Sequence, residues 1–219
     1  MDMSLWFRSV LVAVCCAGGF YRPAGGQIIS GGGSLPAPPV TPTAASDDRM
    51  RLAARFAEHF RAGNVGDAIA EMVDTDALFI SMFGKDDWDE SRPEEREEVA
   101  RLYVEAMNIA HRRPAGEVPE PLQPGDMALT ESGPTAAKVG ITFRVKNVPT
   151  RFVLRMQKKD DRWRVIDGYA VGEDSWADNI RKVYARFRGR TTPVACMRQV
   201  HELIVDVSRG EAATTRPGG

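Results

Sequence analysis

Few side chains in this sequence have types and spacings suited to catalysis. The three histidines, His59, His111 and His201, are scattered. No two stand three or four residues apart, the spacing that puts two ligands on one helix face, so no metal site is expected. Cys15 and Cys16 sit in an apolar stretch near the start, and Cys196 falls in an apolar helical pattern. Cys196 alone cannot close an internal disulfide and is read as core packing. No glycine-rich loop follows a strand and no serine occupies a strand–turn–helix elbow, so no cofactor and no serine nucleophile are expected. One carboxylate stands out. Asp167 ends a period-two run, in phase with Trp163 and Val165. On a dry face a carboxylate is costly unless it is paired. It serves there either as a general base, with His59 as a second acid or base, or as an anchor that accepts backbone N–H groups of the following turn or pairs with Arg181. His111 and His201 are placed at helix surfaces or ends and given no role.

These candidates depend on the elements that carry them. Phe56, Ala57 and Phe60 recur with Ala53 at helical spacing, predicting a helix from a cap at Ser46 or Asp47 to about Ala62, stopped by Gly63-Asn64. A short helix is predicted over Val65–Met72. Asp74-Thr75-Asp76 restarts the chain toward Leu78, Phe79, Met82 and Phe83. Ser91 with Glu94 reads as a capping box, with Pro93 in the first turn, for a helix running to about Arg112 and carrying Leu102 and Met107. After Gly125 the period changes to two. Met127 to Glu131 is a candidate strand. Val139 to Val145, Phe152 to Gln157 and Arg162 to Val165 alternate apolar with polar residues, with turns at 132–134, 147–150 and 160–161. Asp174 or Ser175 caps one closing helix, and Thr192 with Pro193 opens a second that ends near Val207. Helices, then an antiparallel meander, then helices make an α+β domain over 47–207, with the helices covering the dry sheet face. A long first helix under a curved meander leaves a cone-like apolar hollow. Its lining candidates are Phe56, Phe60, Leu102, Met107, Phe143, Leu154, Met156 and Trp163.

Charge narrows the function classes. The 219 residues carry 29 Lys+Arg against 30 Asp+Glu, a net charge of −1. That balance argues against nucleic-acid binding through bulk electrostatics. Any attraction to anions must be local, and the other sheet face offers a place for it. Arg144, Arg151, Arg155, Arg162 and Arg164 alternate with the apolar positions and form a candidate docking face for anionic headgroups or an acidic partner, or else a solvated outer face. At the start of the chain, Arg8, the uncharged run Val10 to Phe20 and Arg22 read as an export signal over 1–26, too short to span a bilayer. The Gly/Pro-rich stretch over 27–46 reads as a flexible linker and 208–219 as a disordered tail.

Two resemblances extend this picture. Phe56-Ala57-Glu58-His59-Phe60-Arg61-Ala62-Gly63-Asn64 resembles the first helix of SnoaL-type members of the nuclear-transport-factor-2-like cone superfamily, and Arg162-Trp163-Arg164-Val165-Ile166-Asp167 resembles their final strand. That likeness implies the cone fold, with Asp167 at the position of an internal base. Phe83-Gly84-Lys85-Asp86-Asp87-Trp88, followed by Arg92-Pro93-Glu94-Glu95-Arg96, is similar to a stretch of MlaC-type phospholipid carriers, the toluene-tolerance family. Asp167, Gly172, Ser175 and Arg181 occupy places that match the family's last strand and the turn after it, with Glu173-Asp174 where the family usually has one residue. This second resemblance implies a periplasmic protein that ferries single phospholipids between membrane-associated transport complexes.

The expectation is therefore an exported binder or carrier of phospholipid or another apolar small molecule, acting as a monomer or weak dimer and doing no chemistry. Burying two acyl chains at roughly 0.8 kcal/mol per methylene suffices for tight binding. The alternatives are a small cone-fold isomerase or dehydratase using Asp167, and a cone domain that mediates protein contacts.

Overall fold

The computed structural model describes residues 47–112, 118–145, 148–187 and 189–214. The leader and linker expected over 1–46 lie outside them. Asp47 opens helix α1 (Asp48–Ala62), its carboxylate accepting the Arg49 N–H at 2.9 Å. Gly63 closes the helix at φ 80°, a left-handed conformation that glycine adopts without steric cost. Met50, Ala53, Phe56, Ala57 and Phe60 form the buried stripe of α1.

Helix α2 (Val65–Met72) follows at once, and Asp74 caps α3 (Thr75–Phe83) by accepting the Ala77 N–H at 3.1 Å. A single turn, α4 (Lys85–Asp89), leads to α5 (Pro93–Ala110). The capping box lies one residue beyond the expected Ser91/Glu94 pair: Arg92 is the cap, and Glu95 accepts its N–H at 3.0 Å. Pro93 is the reason. It takes the first helical position and holds the residue before it in extended backbone.

Four strands, β1 (Met127–Ser132), β2 (Ala136–Val145), β3 (Val148–Lys159) and β4 (Arg162–Ala170), form one antiparallel sheet in the order β1-β2-β3-β4. The β3–β4 turn is built on Asp160 and Asp161, both with positive φ, 48° and 58°, as a tight hairpin requires. The β2–β3 connection is shorter than expected, because pairing resumes at Val148 opposite Val145. Ser175 accepts the Asp178 N–H at 3.1 Å to cap α6 (Trp176–Phe187), and Thr192 does the same for Ala195 ahead of α7 (Pro193–Thr214). The tail expected from residue 208 is instead helical as far as Thr214, where Glu211, Ala212 and Ala213 are good helix formers.

Helix α1 lies across the inner face of the sheet, α3 pairs with α6, and α5 packs on α2 and α7. Cys196 is in the core at 1% exposure, and burial pushes its thiol up to about 12, which leaves it inert at neutral pH. No helix of the described residues is long and apolar enough to cross a membrane.

Two buried-end carboxylates tie loops to this frame. Asp74 meets Lys159 at 2.8 Å, and Asp126, 5% exposed, pairs with Arg144. Burial pushes both carboxyls up. For Asp74, Lys159 and the Ala77 N–H outweigh that effect; for Asp126, Arg144 and the Gln123 N–H do, so both end below the ordinary 3.8. Such a group stabilises the fold above its unfolded-state pKa, and the contribution disappears as pH falls through the lower folded-state value. Asp126→Asn is therefore expected to cost more stability at pH 7 than at pH 3, as measured by urea midpoints. An equal loss at both pH values would show that the carboxylate's charge is not what holds the loop.

Candidate functional site between the helices and the sheet

The helix-covered face of the sheet is aromatic. Phe60 of α1 stacks on Phe143 of β2 with ring centroids 4.5 Å apart and lies 5.9 Å from Phe152 of β3. Phe56 lies 6.5 Å from Phe152 and 5.8 Å from Trp176, and Trp176 lies 5.6 Å from Phe152. Leu154 and Met156 continue the apolar line of β3 beyond Phe152. Gly168 makes room for the indole: a Cβ there would stand 2.9 Å from the Trp176 ring and 3.0 Å from Phe152. A second aromatic group adjoins the first helices. Phe79 meets Trp88 at 5.0 Å and Tyr103 edge-on at 5.6 Å, and Phe83 meets Tyr184 at 5.1 Å.

The expected lining residues separate into three places. Phe56, Phe60, Phe143, Leu154 and Met156 come together between α1 and the sheet, all buried. Leu102 and Met107 are also buried, but on α5, which packs chiefly on α2 and α7. Trp163 packs against this core from its margin. It is half-buried, with the Arg49 guanidinium 5.3 Å above its ring, and it borders an open surface pocket of about 420 Å³ together with Asp47, Asp48, Arg49, Gly133, Pro134 and Lys158. The reason is its position at the start of β4, across from Lys158, where the sheet runs past the end of α1's apolar stripe.

Asp167 is buried at 3% exposure. It is not in phase with Val165. The β3–β4 register shifts at Ile166, so Val165 pairs with Met156 of the apolar line while Asp167 pairs with Arg155 of the charged line. A bulge resets the alternation and aims the carboxylate at the start of α6. There Oδ1 accepts the Gly168 N–H at 2.9 Å and the Ala177 N–H at 3.2 Å. The Ser175 hydroxyl bonds to it, and Arg155 approaches Oδ2 at 3.4 Å. Arg181, the other expected partner, pairs with Asp178 instead. Burial pushes the Asp167 carboxyl up, against the lowering by Ser175, the two N–H groups and Arg155. With these donors in place, the group anchors strand to helix. His59 lies on another surface, 3.9 Å from Glu71, and no contact joins it to Asp167.

The arginines of the outer face are partly used internally. Arg144 pairs with Asp126, Arg155 with Asp167, and Arg164 donates to the Glu71 carbonyl at 2.8 Å. Arg151 and Arg162 have no ion pair among the described residues.

Several residues of this interior escaped the sequence pattern. The Tyr103 hydroxyl and the Trp176 indole N–H are both buried with no hydrogen-bond partner among the described residues. Burial, and after it the charge of Asp167, push the Tyr103 hydroxyl well above its ordinary pKa, so it stays a neutral donor. His111, expected at a surface or helix end, is 3% exposed. Its ring lies edge-on to Phe60 at 5.7 Å, and its Nδ1 is 2.9 Å from the Met107 carbonyl. Among the described residues no group of three or more His, Cys, Asp or Glu side chains is placed to hold a metal ion.

No protein-family model matches this chain, and no curated protein matches it. Among solved structures, the phospholipid-binding protein from Ralstonia solanacearum, in complex with a phospholipid, aligns with a TM-score of 0.48 at 17% identity, covering 76% of this chain and 95% of that one.

Proposed function

We propose that this protein is an exported binder or carrier of phospholipid, or of another apolar ligand with polar acceptors, held between the sheet and helices α1, α5 and α6 without chemical change. The observation that carries the proposal is the pair of buried, unpartnered donors, the Tyr103 hydroxyl and the Trp176 N–H, in an interior otherwise lined by aromatic and aliphatic side chains. Each such atom costs about 1–3 kcal/mol in a dry core. A molecule whose buried polar atoms are ester and phosphoryl oxygens, which only accept, satisfies both donors while its chains occupy the apolar space. Met50, Met72, Met82, Met107, Met156 and Met197 are all buried. Unbranched thioether side chains repack readily, which suits an interior that opens for acyl chains. Export rests on Arg8, the apolar run Val10 to Phe20 and Arg22. A carrier of this kind exchanges its cargo with membrane-associated transport complexes.

The test is extraction of the purified protein and mass spectrometry for co-purified phospholipid, with uptake from vesicles as a second arm. A protein that emerges without lipid and takes none from vesicles sinks the proposal. Tyr103→Phe sharpens it. Removing an unpaired buried hydroxyl is expected to raise the stability of lipid-free protein by about 1 kcal/mol while lowering lipid retention. Unchanged retention with a lower melting temperature would assign the hydroxyl to the fold rather than to a ligand.

A further inference from the structure

Among the described residues, Val118, Val148 and Val171 are the large hydrophobic side chains most exposed to solvent, at 60%, 54% and 59%. They are far apart in sequence but gather at one end of the sheet. Val148 opens β3, opposite Val145 at the end of β2. Val171 follows β4, its N–H donating to the Arg151 carbonyl at 2.9 Å. Val118 is two residues from Glu120, whose N–H donates to the Arg144 carbonyl at 2.8 Å. Arginines stand at this end as well. Arg61, in the last turn of α1, donates to the Pro119 carbonyl at 3.3 Å, and Arg112 follows the end of α5. Arg112 and Arg151 carry no ion pair among the described residues, the Arg151 guanidinium lying over Gly140, two positions further into the sheet. Of the described acids at this end, Asp126 pairs with Arg144 and Asp174 with Lys182, and Glu120 and Glu173 lie here too.

The aromatic layer lies directly beneath this end. Phe143 is two residues inside the end of β2, and Phe152 pairs with Ala170, the residue before Val171. Phe60, stacked on Phe143, immediately precedes Arg61. Exposed aliphatic side chains with arginines at the same end form the pattern of a shallow membrane contact, with the valines entering the acyl boundary and the arginines meeting anionic headgroups.

We propose that this end of the sheet docks on an anionic phospholipid bilayer and is the route by which the interior takes up lipid. The uptake half rests on the function proposed above; the docking half does not. The opposite end, at the Asp160–Asp161 turn, faces away from the membrane.

The test uses the full chain with Cys15→Ser and Cys16→Ser, so that only an introduced thiol reacts; Cys196 is buried. Val148→Cys carries an environment-sensitive fluorophore, and Asp161→Cys carries it in a control protein. With vesicles of phosphatidylglycerol and phosphatidylcholine, the label at 148 is expected to brighten and shift to the blue while the label at 161 does not change. Val148→Asp with Val171→Asp is expected to weaken vesicle binding by roughly tenfold or more. A label at 148 that stays as wet as the one at 161 overturns docking, whether or not the chain binds vesicles by another segment. So does vesicle binding that ignores the double substitution, or capture of a membrane protein without response to bare lipid. Uptake of a short-chain phospholipid dispersed below its micelle concentration is measured in parallel. Docking without uptake defeats the proposed function and leaves the membrane contact standing. Uptake that survives while transfer from vesicles fails in the double variant supports both.

Discussion

Replacing Gly66 by alanine is expected to destabilise the protein by about 1–2 kcal/mol, the opposite of what glycine-to-alanine exchange does inside an exposed helix. Gly66 lies in the first turn of α2, against α5. A Cβ there would stand 2.4 Å from the Val104 carbonyl oxygen and 2.7 Å from the Asn108 side chain, whose Oδ1 accepts the Gly66 N–H at 2.8 Å. The asparagine can rotate away; the carbonyl cannot, because it belongs to the backbone of α5. The two helices must therefore separate, and overpacking of this kind costs typically 1–3 kcal/mol and at times more, against roughly 1 kcal/mol of helix propensity gained. Denaturant unfolding of Gly66→Ala, and of the same change combined with Asn108→Ala, separates the two obstacles. The double variant should recover little. A single variant more stable than the parent would mean that α2 and α5 do not approach this closely.

Asp167→Ala is expected to cost about 2–4 kcal/mol, and Asp167→Asn clearly less. Alanine leaves the Gly168 and Ala177 N–H groups without an acceptor in a buried site, and so removes both the bulge anchor and one bond at the start of α6. Asparagine keeps an oxygen for those two N–H groups and gives up mainly the approach of Arg155 at 3.4 Å. The pH dependence has the opposite sign to that of Asp126. Burial raises the folded-state pKa of Asp167 above 3.8, so its favourable contribution is complete below the unfolded-state pKa and declines as pH rises through the folded-state value. Asparagine resembles the protonated group at every pH. The gap between parent and Asp167→Asn should therefore be larger at pH 4 than at pH 8, whereas the Asp126→Asn gap widens as pH rises. Urea midpoints for the three proteins at the two pH values decide it. An asparagine variant as unstable as the alanine variant, with a gap that grows toward pH 8, would make the negative charge itself the stabilising element.

Local signals in the sequence located most of the elements. Val65–Met72 forms the helix its spacing indicates, Asp47, Ser175 and Thr192 cap where a short polar side chain can reach the next turn, and Asp160-Asp161 makes the β3–β4 turn. In each case the partner lies within four residues, so the pattern contains the whole interaction. The α+β order follows from the change of apolar period after Gly125. The buried set Phe56, Phe60, Phe143, Leu154 and Met156 follows from the same periodicity, because apolar residues in phase share the face that packs against its neighbour.

Tertiary structure decided what depends on distant surfaces. The shift at Ile166 moves Asp167 from the phase of Val165 to that of Arg155, since only pairing with β3 makes one residue of β4 supernumerary. Asp126 takes Arg144 out of the outer charged row across eighteen positions of sequence. Trp163 keeps its apolar phase yet is only half-buried, because α1's apolar stripe ends before it and Arg49 covers the ring. The two unpaired donors, Tyr103 and Trp176, look in sequence like any aromatic residue on a helix face. Alternation and capping are properties of one segment and its neighbours. The face a carboxylate finally takes, the partner an arginine finds and the hydrogen bond a buried hydroxyl lacks are properties of two surfaces that meet only once the chain has folded.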